Sequence, residues 1–110
     1  MLLVLKHENR RQTQMNQLII QAIGGLKLLE IRYHGWSRLV EPHAYGRDKS
    51  GDEVLRCYQV SGGSDSGERF GWKLLKLKEM SSLDICDKCF TPRPDYKRND
   101  KSMVAVFEQI

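Results

Sequence analysis

The stretch "RYHGWSRLVEPHAYG", residues 32–46, decides how the chain folds. His34-Gly35 is a turn dipeptide set between two runs that read with a period of two. That period marks a strand, because successive side chains point to opposite faces of the pleat. Upstream, Leu29, Ile31 and Tyr33 alternate with Leu28, Glu30 and Arg32. Downstream, a second strand is expected over 38–45. Residue physics therefore reads the stretch as a polar β-hairpin. Pro42 lacks an amide hydrogen, which places it at an edge or near a bend.

Outward from the hairpin, Met15, Leu18, Ile19, Ala22, Ile23 and Leu26 recur at i, i+3, i+4, i+7 spacing. They define one amphipathic helix. Gly24-Gly25 is expected to end it by taking the left-handed conformation. Residues 1–14 read as a polar N-terminal arm or a first helical turn, and 15–110 as a single domain. On the other side, a polar turn at 48–52 with Gly51 precedes a third strand, 54–60. A Gly/Ser-rich loop, 61–67, precedes a fourth, 70–77, in which Phe70, Trp72 and Leu74 share a face. A fifth short strand or helical turn is expected over 80–85. Two prolines keep 90–95 extended. Residues 103–110 alternate again, with Met103, Ala105 and Phe107 on one face, and are expected to close the sheet. The class is mainly β (α+β). The architecture is a small SH3/Sm-like β-barrel of about five strands preceded by one amphipathic helix.

Bulk properties fit one domain: 110 residues, 40% hydrophobic and 29% charged. The net charge is +4 and the pI near 9.1, which permits a polyanionic partner without demanding one. The apolar run 1–5 is shorter than a signal-peptide core, and basic residues follow rather than precede it. No apolar run spans a membrane. Three cysteines, an odd number, argue against a secreted disulfide scaffold. A cytoplasmic protein is expected.

The order of the strands carries a resemblance. "LEIRYHG", "RLVEPHAYG", "LRCYQVSG" and "GWKLLKL" follow one another as in the WYL domain, a bacterial module with an Sm-like or SH3-like barrel. The resemblance covers about residues 17–85. Tyr58 matches the family's middle tyrosine, while its tryptophan and leucine fall at Cys57 and Gln59. The family's Phe-Arg-Leu-Asp-Arg string appears as residues 72–76, with lysine at both basic positions and Leu75 in place of the aspartate. "FTPRPDYKRND" looks like the extension of short stand-alone members. Such domains serve transcription regulators and defence proteins as sensing modules. The resemblance implies ligand binding without catalysis and without a cofactor. No helix-turn-helix precedes the barrel.

The implied ligand is a nucleotide or single-stranded nucleic acid, held in a basic groove. Arg38, Lys73 and Lys76 would neutralise phosphates. Tyr33, His43, Tyr58 and Trp72 would supply rings for stacking. Strand parity already prevents all of them from pointing one way. A protein partner or homo-oligomer is the alternative, since the same basic face could meet an acidic chain. Glu41 and His43 share a strand face and could do acid–base chemistry, but no nucleophile stands at a useful spacing. Cys86-x-x-Cys89 lacks the second ligand pair that zinc requires, so no metal is expected. The Gly/Ser loop lacks the lysine and helix start of a phosphate-binding P-loop.

Overall fold

The computed structural model describes the backbone of residues 2–110 and the side chains of Arg10 and residues 13–110. A helix, α1 (Leu2–Gly25), leads into β1 (Lys27–Tyr33), β2 (Trp36–Arg47), β3 (Glu53–Gly62) and β4 (Gly71–Lys76). A single 3-10 turn, Leu77–Glu79, feeds β5 (Met80–Cys89), and β6 (Ala105–Gln109) ends the chain. The backbone of 2–14, read above as a polar arm, is the N-terminal half of α1. Its Lys, Glu, Arg and Gln residues are good helix formers even without an apolar stripe. The stripe begins where expected: Met15, Ile19, Ala22 and Ile23 are buried.

The helix stop differs from the expectation. Leu26, not a glycine, takes the left-handed conformation, with φ of 53°. Such a backbone costs a leucine about 1 kcal/mol. Tertiary bonding offsets it: Leu26 N–H reaches the Ile23 carbonyl, and its own carbonyl accepts Phe90 N–H at 2.9 Å.

The strands form one antiparallel sheet in the order β4-β3-β2-β1-β5, with β6 paired to β2. His34 (φ 52°) and Gly35 (φ 78°) make the two-residue hairpin between β1 and β2, with Tyr33 opposite Trp36. Two positive φ values match the right-handed strand twist in a primed turn. β2 is longer than its apolar core because it has two successive neighbours on one edge. β1 pairs with it from Trp36 to Val40, and β6 from Ala44 to Arg47. Pro42 falls in the gap between them, beside a register shift at 42/44, where its missing N–H breaks no ladder. Gly46 is required by the approach of β6: a Cβ there would overlap the Ala105 carbonyl.

The expected barrel is not what forms. Six strands make an open sheet, and its end strands, β4 and β5, are joined by the 3-10 turn without pairing. The last strand, expected to close the sheet, adds to β2 instead.

Parity divides the sheet into two faces. Leu29, Ile31, Val40, Leu55, Cys57 and Leu75 pack against α1 as the main core. Full burial of each such chain contributes roughly 1.5–3 kcal/mol. The opposite face carries a smaller core of Ala44, Val54 and Met103, with Leu74 and Tyr96 against it. Residues 90–104 form a strap across this second face.

Candidate ligand pocket under the C-terminal strap

In β3, Cys57 faces the helix, so Tyr58 must face the strap. Register sets Glu41, Tyr58 and Trp72 side by side on that face. Tyr58 and Trp72 meet edge to face at 5.5 Å. Arg93, from the strap, lies over the Tyr58 ring at 3.8 Å. Its Nε and Nη2 donate to the two Glu41 carboxylate oxygens at 2.7 and 3.2 Å. The planar guanidinium can satisfy carboxylate and ring together, which a lysine could not.

His43 is fully buried at the centre of this face. Its ring touches Trp72, Phe90 and Tyr96 at centroid distances of 4.8, 5.2 and 5.0 Å. Nε2 accepts the Arg93 backbone N–H, so Nδ1 carries the hydrogen and donates to the Glu41 carbonyl. Burial lowers its pKa below the ordinary histidine value, despite the opposing pull of Glu41. Nε2 therefore docks the strap, while Nδ1 fixes the ring on its own strand. The acid–base pairing of Glu41 with His43 considered from sequence does not form: the carboxylate holds Arg93 instead.

Beside this anchor the strap leaves a cavity of about 420 Å³, lined by Arg56, Trp72, Tyr96, Lys97, Arg98 and Lys101 among others. Trp72 Nε1 donates to Asp95 at 2.9 Å. Arg56 pairs with Asp100 at 2.6 Å. Burial opposes ionisation of Asp100, yet Arg56 and the Ser102 amide outweigh it and hold its pKa low. Asp95 and Asp100 are the pocket's two acids, and both are engaged. Lys97, Arg98 and Lys101 are exposed, and among the described residues none of them has a carboxylate within ion-pair distance. The Tyr96 hydroxyl is buried without a partner. The pocket thus offers an excess of positive charge, one indole and an unsatisfied hydroxyl.

The remaining expected site residues lie elsewhere. Tyr33 and Arg38 are buried on the helix-side face, with the guanidinium 5.0 Å from the Tyr33 ring centroid. Lys73 is registered to Cys57 on that same parity and donates to the Glu68 carbonyl at 2.7 Å. Lys76 is paired with Asp52 at 3.1 Å. The single groove expected for all seven therefore splits across the sheet. His43, Tyr58 and Trp72 come together, and Tyr33, Arg38, Lys73 and Lys76 do not join them. Sequence reasoning missed Arg56, Lys97, Arg98 and Lys101. The signal is the single tyrosine followed by three cations within 96–101, in the segment that resembles a family extension.

Among the described residues no group of three or more His, Cys, Asp or Glu could hold a metal ion. Cys86 and Cys89 are free thiols on β5, and Cys57 is buried with its pKa pushed up to about 12. No described helix is long and apolar enough to cross a membrane. A comparison of the chain with family models, curated proteins and solved structures finds no match.

Proposed function

We propose that the protein is a non-enzymatic, WYL-like binding module that takes an anionic ligand in the strap pocket. A nucleotide or a short single-stranded nucleic acid fits the chemistry. Lys97, Arg98, Lys101 and Arg56 would neutralise phosphate, and Trp72 would offer a ring to a base. The observation that carries this reading is the cavity whose three surplus cations face no carboxylate while both acids are engaged. A leading helix, an antiparallel meander and a tight turn joining the end strands support an SH3/Sm-like ancestry.

The test is a titration with mononucleotides and short DNA and RNA strands. Affinity should fall with salt by roughly 0.7 log units per log unit for each single-strand phosphate contacted. Lys97→Ala with Arg98→Ala should weaken binding at least tenfold. Arg38→Gln should leave it unchanged. Equal affinity in wild type and the double variant eliminates the pocket.

A second reading rests on Val104, Val106 and Phe107, exposed beside the outer edge of β6. They favour a protein contact or self-association, which sedimentation at increasing concentration would reveal and low salt would not strengthen.

A further inference from the structure

At the opposite end of the sheet, two buried polar atoms lack partners. Arg38 is only 4% exposed, and its Nε is one of them. Among the described residues its side chain makes one hydrogen bond, a long one, Nη2 to the Tyr33 carbonyl at 3.3 Å. No carboxylate among the described residues lies within ion-pair distance of it, and Asp65 acts on it only from farther away. Taking a charge out of water without a counter-charge is strongly disfavoured. Gln59 is fully buried, and its Oε1 is the other orphan. Its Nε2 donates to the Gly63 carbonyl at 3.1 Å, which sets the amide's orientation, since a flip would oppose two oxygens. Register places both on the helix-side face: Gln59 is opposite Val40, and Arg38 lies two residues from Val40 along β2, opposite Gly62.

A third group, Lys73, shares the helix-side parity and reaches the same loop as Gln59. Lys73 is half-buried and also has no carboxylate partner among the described residues. It donates to the Glu68 carbonyl at 2.7 Å and the Ser64 hydroxyl at 3.4 Å. The loop between β3 and β4 thus supplies the acceptors for both Lys73 and Gln59. Its outer side is pinned by Asp65 to Trp36 Nε1 at 2.9 Å and to His34 at 2.6 Å.

We propose that Arg38, Gln59 and Lys73, roofed by the loop over 63–68, form a binding site for inorganic hydrogen phosphate. The site is independent of the strap pocket. Two cations call for an anion. The orphan Nε must donate, and the orphan Oε1 must accept. Sulfate and carboxylates only accept. A phosphomonoester has a second pKa near 6 and has lost its last hydrogen at slightly alkaline pH. Inorganic phosphate keeps one O–H there for Gln59 while its other oxygens take Arg38 and Lys73. On entry, its oxygens replace the Glu68 carbonyl at Lys73, and the glycine-rich loop opens to admit them.

The test is calorimetric titration at pH 7.5 with sodium phosphate, sulfate and methyl phosphate at matched ionic strength. Saturable phosphate binding at least tenfold tighter than that of sulfate or methyl phosphate supports the site. Lys73→Ala, at a half-exposed position, should weaken phosphate binding severalfold. Gln59→Leu should abolish the preference over sulfate. Lys97→Ala with Arg98→Ala should leave the preference for phosphate over sulfate and methyl phosphate intact. Should Gln59→Leu fail to fold, amide NMR on the wild type still decides: phosphate must shift Gly62, Gly63 and Gly67. No saturation, equal binding of sulfate, or loss only in the strap variant overturns the proposal.

Discussion

His34 and His43 sit on one hairpin and are wired in opposite ways. His43 is fully buried, and both its nitrogens serve backbone groups that need the neutral ring. His34 is exposed, stacked on Tyr33, and set between Asp65 at 2.6 Å and Glu79 at 2.7 Å. Those carboxylates raise its pKa, Glu79 most of all. Both nitrogens can donate at once only in the imidazolium. The difference teaches where each end of the sheet gets its order. The strap face is held by burial, a neutral histidine and part-buried ion pairs, the loop end by exposed charge.

The sharpest way to break this comparison is His43→Ala. It removes a buried ring from among three aromatics and leaves the Arg93 N–H and Glu41 carbonyl without partners. A loss on the order of 3 kcal/mol is expected in urea unfolding. A loss below about 1 kcal/mol would mean that the strap docks without it. Glu41→Gln comes next. It keeps the shape but removes the charge facing Arg93, and should cost about 1–2 kcal/mol, since Arg93 is partly solvated.

Acidity then separates the two regions. The lowered pKa of His43 means that its contribution is present above the ordinary value of 6.5 and lost as pH falls through its folded value. The raised pKa of His34 means the reverse: its contribution is present below 6.5 and lost as pH rises through its folded value. Imidazole proton titration by NMR should show the two midpoints on opposite sides of 6.5. His34→Gln should flatten only the alkaline limb of stability against pH. The smallest effect belongs to Asp65→Asn, which should speed amide exchange over 63–70 while leaving the unfolding midpoint nearly unmoved.

Local signals made much of this legible. Period-two alternation located the hairpin and the strands after it, and i, i+3, i+4 spacing located the buried face of α1. The polar run ending at Cys89 hid the length of β5, because an edge strand needs little apolar content. The non-local partners were not legible. Nothing near Ala105 announces that β6 will pair with Arg47, and nothing near Arg93 announces Glu41. The division of the expected groove was half visible, since Cys57 and Tyr58 must face apart in any strand. What remained hidden was the strap, which turns one face into a cavity wall and brings Arg56 beside Lys97 and Lys101.

The gap at Pro42 has a consequence in time. The hairpins from β1 to β4 join sequence neighbours, whereas β6, at the far end of the chain, must return past β1 to reach the second half of β2. Contacts that close long loops are the slowest to form. The N-terminal strands therefore assemble first, and the 90–104 segment seals over them last and lifts off first. A molecule seated in its cavity grips the final step of folding, and should lengthen the life of the closed form far more than it quickens the arrival there.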